Sequence, residues 1–384
     1  MAQWNRVPLI DYIELIGGGT PKTTVPEYWN GNIPWLSVKD FNNDKRYVYS
    51  TEKHISQSGF ENSPTKMLHK DDIIISARGT VGEIAMIPFD MAFNQSCYGI
   101  RASRGIDQPF LYYLLKNCIS QLKRMTHGSV FDTITRDTFA NIEVDIPDAE
   151  TQKRISSVLA DIDNKIEVND AINDNLQQQA AALFSSLYDR TNTEVRFTDL
   201  IQILGGGTPK TGESTYWNGN IAFFTPKDVG TPYTLITEKT ITEEGLSHCN
   251  SRLYPVNTVF VTARGTVGKV GMSGVPMAMN QSCYALVGKE THQLLVYFYT
   301  LKAVDRLKHK ASGAVFDAIT TRDFESEQIM KLSDDDAKAF LCIAEPMFQK
   351  VLNNCIENLR LSTLRDSLLP KLMSGEVDVS AVQL

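Results

Sequence analysis

The chain has 384 residues, of which 42% are apolar and 22% are charged. This length and composition exclude a disordered chain and suffice for about two globular domains with buried cores. The formal net charge of −7 counts against a nucleic-acid binder, because phosphate contacts need Lys and Arg, but acidic residues concentrate in two segments described below. We see no secretory leader and no apolar run of about 18 residues, and we therefore expect a cytoplasmic protein.

Cysteine and histidine usage argues against metal and disulfide chemistry. The cysteines stand alone, without the close pairs of a zinc site or the density of a disulfide scaffold, at positions 97, 118, 249, 283, 342 and 355. We expect reduced and mostly buried thiols, with Cys97 and Cys283 as packing residues. The six histidines also lack metal-ligand spacing. No metal and no cofactor is predicted on this chain.

The first predicted unit is a mixed α/β domain at residues 1–148. Short β-rich runs bounded by Gly and Pro, such as Asp72 to Ala77 and Ile84 to Pro88, predict strands. The spacing of apolar residues from Phe110 to Met125 predicts a helix. The fold class that follows is α+β.

A segment of another kind follows at residues 149–190. From about Ala149 to Leu187 there is no glycine, and seam positions recur at alternating steps of four and three. A period of 3.5 residues held over this length predicts a coiled-coil helix. Its predicted seam is Ile155, Leu159, Ile162, Ile166, Asn169, Asn173, Leu176, Ala180, Leu183 and Leu187.

The second predicted domain, residues 191–333, repeats the first and so marks a tandem duplication. Its own strand and helix signals include Asn257 to Ala263 and Leu294 to Lys308. Five blocks and a Lys-Asp pair recur in the same order, displaced by 188 residues at first and by 186 or 185 further on: GGGTPK (17–22, 205–210), YWNGNI (28–33, 216–221), KD (39–40, 227–228), ARGTVG (77–82, 263–268), NQSCY (94–98, 280–284), and GSVFDTIT (128–135) with GAVFDAIT (313–320).

The last segment, residues 334–384, matches the central helix position by position. Polar seam residues are costly unless they meet partners, so antiparallel packing would place Asn169 near Asn358 and Asn173 near Asn354. The alternative is that these asparagines face solvent. Pro346 predicts a kink or a late start for this helix. The predicted seam is Phe340, Ala344, Met347, Val351, Asn354, Asn358, Leu361, Arg365, Leu368 and Leu372.

These elements combine into two similar α/β domains separated by two long helices, which pack as an antiparallel coiled coil with an internal pseudo-twofold repeat. Helices of roughly 40 residues would make a rod of about 60 Å. A duplicated domain on such a spacer suits a bipartite target, and duplex DNA fits that description.

Over its whole length the sequence resembles the specificity (S) subunits of Type I restriction-modification enzymes. The resemblance rests on the GGGTP, YWNG and KD blocks at the entry to each domain, on ARGTVG, NQSCY and VFD.IT, and on the C-terminal LRDSLLPKLMSGEV. It implies that each domain is a target-recognition domain, which reads one half of a bipartite DNA target, and that the helices are conserved regions that set the spacing. The two domains are more alike than many in the family, which suggests related half-sites.

The same resemblance implies partner subunits. Two methyltransferase subunits would dock on the helices and a motor-nuclease subunit would cut, while S-adenosylmethionine, ATP and Mg would be bound by these partners. The chain itself carries no methyltransferase Pro-Pro motif, no Walker A loop and no nuclease-like acidic pair, so we expect no catalytic activity. The main alternative is a coiled-coil adaptor that does not touch DNA. A self-sufficient methyltransferase or nuclease is a third and weaker possibility.

Residues shared by the two copies are candidates for DNA contact. Arg78 and Arg264 are the foremost, because a strand end opening into a Gly turn would expose a guanidinium suited to phosphate or guanine. Thr80, Thr266, Gln95 and Gln281 lie nearby in sequence. The loops ending in Lys22 and Lys210 are either DNA-backbone contacts or structural turns. Lys39 and Lys227 are either phosphate contacts or partners in local ion pairs, whereas Trp29 and Trp217 are expected to be core anchors.

Base-specific contacts are expected where the copies diverge, since shared residues should serve the scaffold or the DNA backbone. Two such stretches are Phe41 to Lys66 and Val229 to Arg252. The candidates they contribute are Lys45, Arg46, Lys53, Lys66, Lys239 and Arg252.

Overall fold

The computed structural model describes residues 4–125, 133–230, 232–310 and 318–379. The chain divides into two compact units, the first formed by Met1–Glu167 with Arg360–Leu384 and the second by Val168–Leu359. Both division points fall inside the long helices, so each unit holds one globular domain and part of each long helix. GSVFD (128–132) and GAVFD (313–317), which begin the last repeated block, lie outside the described residues.

Among the described residues, the globular part of the first unit contains ten strands, three short α-helices, one longer α-helix and two 3-10 helices (Leu9–Tyr12 and Pro26–Tyr28). The helices are α1 (Val38–Phe41), α2 (Gln57–Glu61), α3 (Gln108–Met125) and α4 (Arg136–Ala140). The strands are β1 (Asn5–Pro8), β2 (Ile13–Gly17), β3 (Trp29–Leu36), β4 (Lys53–Ile55), β5 (Met67–Leu68), β6 (Ile73–Ser76), β7 (Ile84–Met86), β8 (Met91–Phe93), β9 (Cys97–Ala102) and β10 (Glu143–Ile146).

These strands form two sheets and one separate pair. One sheet is antiparallel in the order β2-β9-β6-β7, and the other has the order β4-β3-β8-β5 with β3 and β8 parallel. Strand β1 pairs with β10. Because successive side chains of a strand point to opposite faces, Ile73 and Ile75 of β6 pack with α3, whereas Ile74 packs between the sheets.

A long helix, α5 (Ala149–Tyr188), leads to the second unit, which repeats this architecture. The further helices are α6 (Phe197–Leu200), α7 (Glu243–Ser247), α8 (Gln293–Lys310), α9 (Thr321–Ser326) and the long α10 (Asp334–Met373). The strands are β11 (Glu194–Arg196), β12 (Ile201–Gly205), β13 (Trp217–Phe224), β14 (Tyr233–Thr234), β15 (Lys239–Ile241), β16 (Val259–Thr262), β17 (Val270–Ser273), β18 (Met277–Met279), β19 (Cys283–Gly288) and β20 (Gln328–Met330).

The sheet orders of the second unit correspond to those of the first, except that β14 is added beside β17 and, among the described residues, no strand corresponds to β5. They are β12-β19-β16-β17-β14 and β15-β13-β18, with β11 paired to β20. Helix α8 stands where α3 stands in the first unit, and both have 18 residues. The predicted α+β class and the duplication are confirmed at the level of strand order.

The long helices α5 and α10, each of 40 residues, complete the domain cores. In the first unit Ile155, Leu159 and Leu372 join the core of the sheet and α3. In the second, Phe184 and Phe340 join the corresponding core with α8. Each long helix buries an apolar stripe against the sheet and the 18-residue helix of a globular domain. This packing explains the sustained apolar spacing.

Antiparallel pairing of the helices is visible within each unit. In the second unit Asn169 donates to the Oδ1 of Asn358 at 2.8 Å, and Asn354 donates to the Oδ1 of Asn173 at 2.8 Å. The expected pairing of the two asparagine layers is thus confirmed, and the solvent-facing alternative is wrong because Asn169 and Asn354 are buried. Helix α10 begins at Asp334, so the late start expected from Pro346 is also wrong.

Burial along the two helices follows the seam. Among the seam residues, those fully buried are Ile155, Leu159, Asn169, Asn173, Ala180, Leu187, Phe340, Ala344, Val351, Asn354, Arg365 and Leu372. The half-buried ones are Ile162, Ile166, Leu176, Leu183, Met347, Asn358, Leu361 and Leu368. Across the described ranges, no helix has both the length and the apolar character needed to cross a membrane.

Candidate nucleic-acid interface

Three of the repeated blocks meet at one edge of the antiparallel sheet. Strands β2 and β6 both run antiparallel to β9, so their carboxyl ends flank its start: Gly17 lies opposite Tyr98, and Ser76 lies opposite Cys97. GGGTPK begins at the last residue of β2, ARGTVG directly follows β6, and NQSCY leads into β9. Blocks that are far apart in sequence are therefore neighbours in the structure, and we call the three of them together the three-block cluster.

Direct contacts join these blocks in the first unit. The backbone N–H groups of Ala77 and Arg78 donate to the Ser96 carbonyl at 2.8 and 3.2 Å. The Thr20 hydroxyl donates to the side-chain oxygen of Gln95. Since that oxygen is occupied, the exposed amide nitrogen of Gln95 is the group that can donate to a ligand.

The second unit builds the same arrangement. Ala263 and Arg264 donate to the Ser282 carbonyl at 2.8 and 3.3 Å, and the Thr208 hydroxyl donates to Gln281. The close approach of the loops depends on glycine, because a Cβ on Gly206 would lie 2.1 Å from a backbone carbonyl oxygen, and the same holds for its counterpart in the first unit.

The ARGTVG turns expose an arginine and a threonine in each unit. Gly79 has φ +79°, a left-handed conformation that favours glycine, and the Ser76 hydroxyl holds the turn by donating to the Thr80 carbonyl at 2.5 Å. Arg78 and Thr80 are exposed. Within the described residues, no hydrogen bond or ion pair engages the Arg78 guanidinium. The equivalent Arg264 and Thr266 are likewise exposed.

A tryptophan links the glycine-rich loop to a lysine on β4. The Trp29 indole N–H donates to the Lys22 carbonyl at 3.3 Å, while the Lys53 ammonium lies 5.7 Å from the Trp29 ring centroid. The ring also packs edge-on against Trp35, with centroids 5.2 Å apart. Trp29 packs against the small core around Trp35 but is only half-buried, so the expectation of a core anchor is confirmed in part; it also supports two exposed lysines.

The same link occurs in the second unit. Trp217 donates to the Lys210 carbonyl at 3.2 Å, Lys239 lies 5.6 Å from its ring centroid, and Phe223 packs edge-on against it. Lys53 and Lys239 are the first residues of β4 and β15 and are thus equivalent, although they lie in stretches that diverge in sequence. Aligning those stretches of the two copies with the displacement of 186 residues would have identified this equivalence from the sequence.

Lys66 and Arg252 form another equivalent basic pair, also 186 residues apart. Both are exposed and both follow a chain segment in close contact with the glycine-rich loop. A Cβ on Gly19 would lie 2.3 Å from the Thr65 backbone nitrogen, and one on Gly207 would lie 2.6 Å from that of Asn250. The two residues are therefore close to the loops that end in Lys22 and Lys210.

Lys39 and Lys227 make exposed ion pairs. Their ammonium groups lie 4.0 Å from Glu52 and 3.7 Å from Glu238, respectively, with both partners largely exposed. Asp40 instead accepts from the Ser37 backbone N–H at 2.7 Å. Since exposed pairs of this kind contribute little, either lysine could exchange its glutamate for a phosphate at small cost.

Arg46 does not lie on the candidate DNA surface, and its inclusion among the candidate DNA-contact residues is wrong. It is 8% exposed, donates to Asn164 of α5 at 3.2 Å and lies over the Tyr47 and Tyr113 rings. A duplex could not reach it without unpacking the long helix. The neighbouring Lys45 is exposed but lies beside α5, apart from the three-block cluster.

Two further basic residues near the cluster escaped the sequence analysis. Arg136 and Arg322 are exposed in the first turns of α4 and α9. The Ile134 backbone N–H donates to the Ala77 carbonyl at 2.9 Å, which places the start of α4 beside the Arg78 turn. The Thr-Arg-Asp triplet shared by residues 135–137 and 321–323 was the available signal.

Negative charge is concentrated in the helical segments, and the cysteines of the two NQSCY blocks are buried. Residues 1–148 and 191–333 carry 29 basic and 30 acidic side chains, whereas the remaining segments carry 9 and 15, so most of the negative charge belongs to the helical segments. Burial raises the pKa of Cys97 and of Cys283 to about 12, and both thiols are packing residues, as predicted. Among the described residues no cluster of His, Cys, Asp or Glu could hold a metal ion.

Comparison with known proteins gives relatives that match along most of the chain. A specificity subunit of a type I restriction enzyme from Methanocaldococcus jannaschii is 24% identical and aligns with 98% of this chain and 94% of its own length. One from Haemophilus influenzae is 24% identical over 70% of this chain and 77% of its own length. The crystal structure of a type I restriction-modification S subunit from M. genitalium shares the fold, with a TM-score of 0.58 at 15% identity, over 97% of this chain and 96% of that one.

The model of one protein family matches the chain twice. The family is described as the type I restriction modification DNA specificity domain, and the matches cover residues 1–178 and 190–331. They include both copies of the three-block cluster and most of α5. This chain belongs to the family of type I restriction modification DNA specificity domains.

Proposed function

We propose that the chain is the DNA-recognition subunit of a type I restriction-modification complex, and that each globular domain reads one half of a bipartite target. The observation that carries the proposal is the repeated three-block cluster, which presents an exposed arginine, lysine, threonine and glutamine in the same geometry in each unit. Guanidinium and amide groups held on a rigid sheet edge suit phosphate oxygens and base edges.

The shared residues serve mainly to position the duplex. Arg78 with Arg264, Lys22 with Lys210, Lys53 with Lys239, and Lys66 with Arg252 are equivalent and exposed, and sequence-independent phosphate contacts are expected to recur in both domains. Thr80, Gln95, Thr266 and Gln281 complete the two surfaces. Lys39, Lys45 and Lys227 remain candidates for outlying phosphate contacts.

The partners follow from the family. Specificity subunits of type I systems recognise DNA, while methylation and cleavage lie on other subunits. We infer that two methyltransferase subunits dock on the helical segments and that motor-nuclease subunits join them in the cytoplasm. S-adenosylmethionine, ATP and Mg would be bound by these partners, so the chain on its own should neither bind S-adenosylmethionine nor modify DNA.

Mapping of methylated adenines by long-read sequencing tests the proposal. Cells would express the chain with its neighbouring methyltransferase, or a version in which residues 1–148 come from another specificity subunit. We expect a bipartite motif of which only one half changes on exchange. Absence of methylation, or a motif indifferent to the exchange, would favour the coiled-coil adaptor instead.

A matched pair of variants tests the surface itself. Arg78→Ala should weaken DNA binding by the assembled complex and reduce its salt dependence, because one phosphate or base contact is lost. Arg104→Ala is the control, since Arg104 is also exposed but lies on the turn after β9, at the other end of that strand. Equal effects of the two substitutions on a titration at several salt concentrations would contradict the assigned surface.

A further inference from the structure

The short helices α2 and α7, with the residue that ends each of them, combine a shared backbone with different side chains. The Gly59 N–H donates to the Ser56 hydroxyl at 3.0 Å, and the Gly245 N–H donates to the Thr242 hydroxyl at 3.0 Å. Both glycines are buried, and a Cβ on Gly59 would lie 2.3 Å from the Tyr28 carbonyl oxygen. The backbone of this element is therefore fixed in the same way in the two units.

The exposed side chains on that backbone differ at every position. Residues 57–62 read QSGFEN, and residues 243–248 read EEGLSH. Gln57, Ser58, Glu61 and Asn62 are exposed, as are their four counterparts in the second unit. This contrasts with the neighbouring basic residues, which keep their charge in both copies. A constant scaffold with variable exposed side chains is expected of a sequence-reading element.

The element adjoins the three-block cluster. Residues 63–66 and 249–252 continue from it directly into the segments that contact Gly19 and Gly207. The other half of the divergent stretch faces elsewhere: Arg46 and Tyr49 contact α5 through Asn164 and Glu167. In the first unit, residues 57–62 thus provide a continuous set of exposed side chains that differ from those of the second copy and adjoin the candidate DNA surface.

Asn62 and His248 are equivalent and are both held by their own helix. Asn62 donates its Nδ2 to the Ser58 carbonyl at 2.9 Å, which leaves Oδ1 as an acceptor. His248 lies with its Nδ1 2.8 Å from the Glu244 carbonyl, and its ring stacks on Tyr216 with centroids 4.9 Å apart. Because a carbonyl can only accept, Nδ1 must carry a proton, and in the neutral form of such a ring Nε2 is an acceptor.

We propose that the segments 57–62 and 243–248 are base-reading elements, with Asn62 and His248 as specificity-determining residues that accept hydrogen bonds from exocyclic amino groups in the major groove. Those groups are N4 of cytosine and N6 of adenine. The inference rests on the proposed function and deepens it by naming which side chains distinguish the two half-sites.

A reciprocal segment exchange tests the inference. One variant replaces QSGFEN at 57–62 with EEGLSH, and the other makes the opposite replacement at 243–248. Each is assembled with the methyltransferase, and the methylated motif is read by sequencing from a randomised DNA library. We expect one or two base positions to change in the half-site read by the altered domain, and none to change in the other half-site.

Single substitutions sharpen the test. Asn62→His should shift preference at one base position by about 5- to 160-fold, since one good base contact distinguishes right from wrong bases by about 1–3 kcal/mol. His69→Asn is the matched control, because His69 is exposed and precedes β6, whereas the ARGTVG turn is at the other end of that strand. The control should leave the motif unchanged.

The outcomes separate the inference from the function on which it rests. If the wild-type complex methylates no bipartite motif, the proposed function fails. If it does, and both exchanged complexes assemble and methylate the unchanged motif, only the base-reading assignment is overturned. The exchanged complexes could also assemble but select no motif from the library. If Asn62→His retains the wild-type motif in that case, the base-reading assignment is overturned as well.

Discussion

A buried ion pair distinguishes the first unit from the second at the level of single residues. Arg365, 3% exposed, lies 2.8 Å from Asp163, 4% exposed, and Tyr113 donates its hydroxyl to the same carboxylate at 2.6 Å. Burial opposes ionisation of Arg365, but Asp163 and its neighbours outweigh that effect and raise the pKa of Arg365. At the equivalent positions the second unit has Ala180, Phe348 and Phe298.

Asp163→Ala should destabilise the first unit strongly, because it leaves a buried guanidinium without its buried partner. We expect a loss of about 3 kcal/mol in the free energy of unfolding. Chemical denaturation followed by a probe in this unit would measure it. Glu150→Ala is the control, since it removes an exposed pair with Arg154 at 2.8 Å and should cost less than about 0.5 kcal/mol.

The second unit supplies a rescue for this variant. The combination Tyr113→Phe, Asp163→Phe and Arg365→Ala reproduces the aromatic packing of Phe298 against Phe348, whose centroids lie 5.6 Å apart. Replacing both members of a buried ion pair by apolar groups can be neutral or stabilising, although Asp44 loses its contact with Arg365 in this variant. The triple variant should therefore recover most of the lost stability, and a triple variant as unstable as Asp163→Ala would show that the ion pair is not interchangeable with aromatic packing.

Thiol reactivity offers a second test at this scale. Only the thiolate reacts with alkylating reagents, and burial raises the pKa of Cys97, Cys118 and Cys283 to about 12 and of Cys355 to about 11. Cys342 is exposed. We expect iodoacetamide at neutral pH to modify Cys342 first, as judged by peptide mass spectrometry. Faster modification of Cys97 than of Cys342 would contradict the packing assigned to Cys97.

At the scale of elements, the helices show what a sequence can specify. A 3.5-residue period and two asparagines per seam suffice to predict that the two long helices pair and that they run antiparallel. The reason is that a seam position determines which side chains face each other. The sheet edge could not be predicted in the same way. The contact between Thr20 and Gln95 depends on the order β2-β9-β6-β7, which no local pattern encodes. Arg46 was misassigned because its partner Asn164 is 118 residues away.

The asparagine layers allow a prediction about helix pairing in the second unit. Asn173→Leu removes the acceptor of Asn354, a residue that is 1% exposed and whose own Oδ1 has no partner among the described residues. Leaving this amide buried without its acceptor should cost about 1–3 kcal/mol. The shift would be measured as a lower midpoint of urea unfolding.

The double variant separates polar pairing from packing. Asn173→Leu with Asn354→Leu removes both polar groups and should be more stable than the single variant, because no amide is then left unsatisfied. Asn353→Leu, at an exposed position of α10, is the control for the added apolar surface. A double variant less stable than the single one would mean that leucines cannot be accommodated in this layer, against the predicted apolar seam.

For the whole molecule, the duplication predicts that one domain can serve in both positions. A chain carrying residues 1–148 in place of 191–333 should direct methylation to a motif with two copies of the first half-site. The graft meets several obstacles, because Asp44, Arg46 and Tyr113 each have a partner on the long helices in the first unit. In the second position Tyr113 would take the place of Phe298, which packs against Phe184 and Phe348, and its hydroxyl would lose the acceptor that Asp163 supplies.

The grafted chain should therefore work better with Tyr113→Phe in the second copy only, because an unsatisfied buried hydroxyl costs about 1–3 kcal/mol. Thermal unfolding would report the stability, and long-read mapping of methylated adenine would report the motif. A repeated half-site, with a higher unfolding midpoint for the Tyr113→Phe graft, is the expected result. If the stable graft still methylates the original bipartite motif, then the half-sites are not read by the globular domains, and the reading element must lie in the helices that both chains share.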